Sequence, residues 1–153
     1  MLLSKGYGQG STLLRLIASE DGGLDVETLW ASRRSLRTKF TNPVVHEQHA
    51  YALSDGILEC VSLETGKRVW LDGRYGYGQV LLVGRGATAV LVVLSEEGDL
   101  MIIEPRPDAE NVLLGEIEAL SGITWNTIAL YGDRIVIRNA TEAACYRLPL
   151  ASQ

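Results

Sequence analysis

The chain has two histidines, in the run His46-Glu-Gln-His49. A zinc protease needs His-Glu-x-x-His on a helix, so that both imidazoles share one face. Here the spacing is one residue short and lies between two strand-like runs, so it reads as a solvated hairpin turn. Gly6-Tyr-Gly-Gln-Gly10 and Gly76-Tyr-Gly-Gln79 are glycine-rich. A dinucleotide loop follows a strand and opens a helix. No helical pattern follows either run, and their glycines read as turn or strand-start residues. The triplet Asn139-Ala-Thr141 fits a glycosylation acceptor, a chance match in a chain with no export signal. Glu96-Glu97 and Glu116/Glu118 fall in a turn or alternate along a strand face, and read as solvated. No nucleophile-elbow serine, Walker loop or zinc-ligand set appears.

One constellation remains. Thr41, Asn42, Tyr77, Gln79, Trp125 and Asn126 sit where strands begin, in three separate parts of the chain. If those strands line a common channel, amide and aromatic groups converge at its mouth, where they can bind a small polar ligand or a peptide. The competing reading is that they satisfy backbone ends and fill the axis. The elements that carry them therefore matter.

The 153 residues fit one domain with a real core, and 46% apolar with 22% charged residues is a globular balance. Net charge is −5, and the one basic group, Arg33, Arg34, Arg37 and Lys39, reads as a solvated loop. Without a basic face, a nucleic-acid partner is not expected. The longest apolar stretch, Ala87 to Leu94, is too short to span a bilayer, so no membrane insertion is expected. The first ten residues lack a signal-peptide pattern, so the chain as written is expected in the cytoplasm.

Short β-rich runs alternate with Gly, Asp and Asn turns. Leu13 to Ile17, Ile57 to Leu63, Val90 to Leu94, Leu100 to Ile103 and Arg134 to Ile137 read as strands. Val112 to Ala119 is read as a strand, although Glu and Leu between Ala109 and Leu120 also suit a helix. Pro43, Pro105, Pro107 and Pro149 suit strand ends or loops.

Self-similarity organises these runs. An ungapped shift of 85 lays Phe40 on Trp125, Cys60 on Cys145 and Leu63 on Leu148. A third copy lies between, offset by 42, with Ser54-Asp55-Gly56 on Glu96-Glu97-Gly98. A fourth precedes them, with Trp30 lying 40 residues before Trp70. A period near 40 with about four strands per unit predicts a β-propeller. The expected fold is all-β: one module over 1–153, a partial propeller of about four blades of four-stranded antiparallel sheet, at roughly 1–30, 36–70, 77–120 and 123–150. Two cysteines make no disulfide framework. Cys60 and Cys145, at one repeat position two blades apart, lie beyond disulfide reach and read as buried free thiols.

Cys60-Val-Ser-Leu-Glu-Thr-Gly-Lys-Arg-Val-Trp70 resembles the tryptophan-docking motif of the pyrrolo-quinoline quinone (PQQ) repeat, Ala-x-Asp-x-x-Thr-Gly-x-x-x-Trp. Thr65, Gly66 and Trp70 match it; Cys60 and Ser62 replace the Ala and the Asp. Lys39-Phe-Thr-Asn-Pro-Val, Gly73-Arg-Tyr-Gly-Tyr-Gly-Gln and Thr124-Trp-Asn-Thr resemble the C-terminal half of bacterial PQQ-like proteins. The resemblance implies a turn at Thr65-Gly66 and a Trp70 packed between blades. Full propellers of that family often have eight blades and are usually periplasmic, the location expected here if an N-terminal segment is missing. Many members are scaffolds.

The function that follows is a non-enzymatic scaffold or binding module. Four blades leave open edges and faces at both ends, so the expected partner is the chain itself, two copies closing a ring of eight, or another protein. No cofactor is expected. PQQ with calcium belongs to the alternative, a quinoprotein dehydrogenase remnant. That class brings a calcium site of acidic and amide ligands, a catalytic aspartate and commonly a vicinal disulfide, and this chain has no adjacent cysteines.

Overall fold

A computed structural model describes residues 1–148. It is all-β, with four antiparallel sheets and no α-helix among the described residues. The first sheet is β1 (Leu2–Lys5), β2 (Gly10–Ala18) and β3 (Leu24–Ser32). The second is β4 (Val44–His46), β5 (His49–Ser54), β6 (Ile57–Ser62) and β7 (Arg68–Arg74). The third is β8 (Gln79–Val83), β9 (Val90–Leu94), β10 (Asp99–Ile103) and β11 (Leu113–Glu118). The fourth is β12 (Ala129–Tyr131), β13 (Arg134–Arg138) and β14 (Ala143–Arg147). Strands pair in chain order within each sheet, and no sheet closes on itself. The expected strands are present, and Leu113–Glu118 is strand rather than helix. Two sheets, however, have three strands and not four. Pro149 lies outside the described residues.

Local chemistry explains the hairpins. Asp55-Gly56 joins β5 to β6 with both residues at positive φ, 47° and 87°. That is the two-residue turn whose twist matches the strands, and Asp-Gly is a favoured pair for it. Glu47-Gln48 joins β4 to β5, and His46 and His49 are the cross-strand pair that closes this hairpin. Asn139 caps the turn between β13 and β14. Its Oδ1 accepts from the backbone N–H groups of Thr141 and Glu142, both at 3.0 Å, and its Nδ2 donates to Ser121 O at 2.8 Å. Asn139 of the glycosylation-like triplet is thus a buried turn residue, while Ala140 and Thr141 are exposed.

The sheets pack face to face in chain order. Tyr51, Leu53, Leu58, Cys60 and Trp70 of the second meet Leu91, Val93, Met101 and Ile103 of the third. The opposite face of the third sheet, with Val92, Leu94 and Leu100, meets Ile135 and Ile137 of the fourth. Because β9 is covered on both sides, Val90-Leu-Val-Val-Leu is apolar throughout. The layer between first and second sheets is thinner and more polar, with Ala50, Ala52 and Val61 under Leu2 and Leu36.

Glu59 is fully buried in that layer. Its carboxylate accepts from Leu36 N–H and from Arg68 Nε, both at 2.7 Å, which is what a buried charge requires.

The tryptophans repeat one contact. Trp30 Nε1 donates to Leu63 O of the second sheet at 2.6 Å, and Trp70 Nε1 donates to Arg106 O of the third at 3.0 Å. Each ring leaves an outer strand and docks on the following sheet's connection between its third and fourth strands. Gly66 is part of the same device. It holds φ 67°, and a Cβ there would lie 2.6 Å from the Trp30 ring. Besides turning the chain, it makes room for the preceding sheet's tryptophan.

Candidate functional site

The segments that lead into β4, β8 and β12 meet at one end of the sheets, beside the β1–β2 turn. Gln79, the first residue of β8, is buried, and its Nε2 donates to Phe40 O at 2.8 Å and to Trp125 O at 3.0 Å. One amide therefore ties together the lead-ins of the second and fourth sheets. Above it Phe40 and Trp125, equivalent in the repeat, are stacked with ring centroids 6.1 Å apart and an interplanar angle of 23°. Tyr77 meets Phe40 edge-on at 6.2 Å. Such offset and T-shaped pairs follow from the ring quadrupole. Yet Phe40 stays 64% exposed and Trp125 51%.

Glu96 fixes this arrangement. Its Oε1 accepts from Trp125 Nε1 at 2.7 Å and its Oε2 from Tyr77 N–H at 3.1 Å. The reading of Glu96-Glu97 as solvated is therefore corrected for Glu96, which is half-buried and engaged; Glu97 is exposed. The basic loop is corrected in the same way. Arg33 and Arg34 are exposed, but Arg37 and Lys39 are half-buried, with Asp55 at 3.0 Å and 3.4 Å. Lys39 Nζ also donates to Tyr77 Oη at 3.2 Å and lies 5.0 Å and 4.8 Å from the Tyr7 and Tyr77 ring centroids. The Tyr77 hydrogen bond, with Asp55 behind it, raises the Lys39 pKa and keeps the ammonium charged.

Of the six residues singled out by sequence, Tyr77, Gln79 and Trp125 come together in this cluster. Thr41 and Asn42 lie beside it: Thr41 is buried with a hydroxyl that has no hydrogen-bond partner, and Asn42 is exposed. Asn126 turns away to Arg138, with its side-chain amide 3.3 Å from the Arg138 carbonyl and 3.1 Å from the guanidinium. Sequence reasoning missed Tyr7, Lys39, Phe40 and Glu96. For Phe40 a signal existed, since the shift of 85 lays it on Trp125. For Glu96 none did, because an acidic pair in a turn looks the same whether solvated or engaged.

The thiols differ from expectation. Cys60 is buried but Cys145 is exposed. The two hold one repeat position, each turned toward the sheet that would come next. The third sheet covers Cys60, and no further sheet among the described residues covers Cys145.

Among the described residues, no three His, Cys, Asp or Glu side chains converge as a cation's donors would.

No family model matches the chain, and no curated protein does. Among solved structures it matches a crystal structure of the computationally designed Ika8 protein, at 10% identity and a TM-score of 0.40. The match covers 95% of this chain and 61% of that one, so the chain spans about three fifths of that protein's length; a likeness this distant carries no argument.

Proposed function

We propose that the chain is an arc of a β-propeller of the PQQ-like repeat kind, working as a non-enzymatic assembly module whose end sheets are covered by a second copy. One observation carries this. Positions that are core in the second sheet are surface in the fourth. Cys60, buried against the third sheet, has its counterpart in exposed Cys145. Val136, the cross-strand neighbour of Cys145, is 45% exposed. At the other end Leu16 and Val26, paired across β2 and β3, are 45% and 59% exposed, with Leu24 beside them at 68%. By strand alternation they lie opposite Leu2 and Ser4, which face the second sheet.

The open face of the first sheet is apolar, and that of the fourth sets Val136 and Cys145 among exposed Arg134, Arg138 and Arg147. Two open faces at opposite ends of an arc suit a closed assembly, in which the fourth sheet of one copy covers the first sheet of the other. The two Trp docks support the propeller reading, because they repeat one sheet-to-sheet contact, from ring to carbonyl 33 and 36 residues along the chain.

The test is molar mass by size-exclusion chromatography with light scattering over a range of concentrations. The native chain is expected at twice the monomer mass. Val136→Asp, at a site already open to water, is expected to shift it to monomer with its fold intact by circular dichroism. A native chain that stays monomeric at every concentration overturns the reading.

A further inference from the structure

We propose that the cleft between the β1–β2 turn and the lead-in to β4 binds a small carboxylate carried on a flat ring. This goes beyond assembly and does not depend on it, since the cleft lies between the first and second sheets and not on either open face.

The cleft has a volume of about 290 Å³, the size of a single-ring ligand. Its walls include Lys5, Tyr7, Lys39, Phe40, Thr41 and Asn42, and no carboxylate lines it. In a chain of net charge −5, two lysines in one uncontested recess mark it for an anion. Asp55 reaches Lys39 from outside at 3.4 Å, whereas Lys5 has no carboxylate partner among the described residues. Asp55 is shared with Arg37 at 3.0 Å, so the cleft stays net positive, and its aromatic walls suit an anion carried on a ring better than a bare phosphate.

The aromatic walls supply the second argument. Phe40 holds a backbone φ of 63°, in the left-handed region that side chains other than glycine avoid, whereas Tyr7, at 56°, stands in the β1–β2 turn, where such an angle is ordinary. Both residues are largely exposed, at 64% and 72%, so burial does not compensate the strain at Phe40. Strained residues of this kind gather at ligand sites. Two aromatic side chains thus flank the recess that Lys5 and Lys39 line.

Benzoate is the probe, titrated into the full chain while backbone amide shifts are followed by NMR. Benzamide, with the same ring and no charge, and inorganic phosphate are the comparisons. Benzoate is expected to shift Lys5, Tyr7, Lys39 and Phe40 saturably, with benzamide and phosphate weaker by about tenfold or more. Lys5→Gln is expected to weaken benzoate binding. Phe40→Gly is expected to weaken it too, while leaving the melting temperature unchanged or higher, because glycine accepts this φ freely. Absence of a saturable benzoate shift at these residues overturns the proposal. So does benzamide or phosphate binding as well as benzoate, or a Phe40→Gly chain that melts lower and binds benzoate unchanged.

Discussion

The two middle sheets and the two end sheets are built from the same antiparallel hairpins and meet different surroundings. In the third sheet Leu91, Val92, Val93 and Leu94 are all fully buried, because a neighbouring sheet covers each face. In the fourth sheet Arg134-Ile-Val-Ile-Arg138 alternates exposed and buried, because only one face has a neighbour. Equivalent repeat positions therefore carry unequal energies. A residue's contribution depends on whether the next sheet is present more than on its own type.

The tryptophans give the largest contrast. Trp70 is 3% exposed and packs on Tyr51 at 5.9 Å, whereas Trp30 is half-buried over Gly66. Trp70→Ala removes a core ring and is expected to cost about 3–5 kcal/mol. Trp30→Ala, in the thinner first layer, is expected to cost about half as much. Urea unfolding of both variants, followed by far-UV circular dichroism, measures the difference. Equal losses would mean that the end sheet is as well packed as the middle ones.

Much of this architecture was legible beforehand. The apolar run of β9, the Asp55-Gly56 turn and the shift of 85 residues are local or periodic signals, and each led to a strand, a hairpin or a pair of equivalent residues. The repeat also placed Tyr77, Gln79 and Trp125 at strand starts, where Gln79 does bridge two lead-ins. What periodicity cannot carry is the presence of a neighbour. Cys145 looks like Cys60 in sequence, yet its surroundings are decided by a sheet beyond it. Nor could it carry the burial of Glu59. In Ile57-Leu-Glu-Cys-Val a lone acid looks like a solvent-facing strand residue, and its two partners, Leu36 N–H and Arg68, lie 23 and 9 residues away. Those partners come from the packing of one sheet on another.

A smaller effect comes from a valine pair. Val93 is fully buried between the second and third sheets, and Val136 is 45% exposed. Val93→Ala is expected to cost about 2 kcal/mol from lost contact and a residual cavity. Val136→Ala is expected to stay within about 0.5 kcal/mol in the monomer. Measured by denaturation across chain concentrations, the Val136 variant sharpens the comparison. If its cost grows with concentration, that face is covered in the assembled form, as the proposed ring requires.

The last effect is carried by the thiols in alkali alone, and it has a sign. Burial pushes the Cys60 thiol up from 9.0 to about 11, with the Tyr51 hydroxyl pulling modestly the other way. A folded pKa above the unfolded one contributes stability that is complete below about pH 9 and is lost as pH rises toward 11. Tyr51 is also pushed up from 10.0 by burial, so its contribution has the same sign and begins to fall one unit later. Stability should therefore decline with alkali from about pH 9. Cys60→Ala should flatten that decline between about pH 9 and 10, where Cys60 acts before Tyr51. Cys145→Ala should leave the profile unchanged. Iodoacetamide labelling of the monomeric Val136→Asp chain, read by mass spectrometry, gives the matching kinetic contrast, with Cys145 modified while the chain is folded and Cys60 modified only as it unfolds. Labelling of both at one rate would show that the face between the second and third sheets opens as readily as the uncovered one, and the contrast between middle and end sheets would not hold.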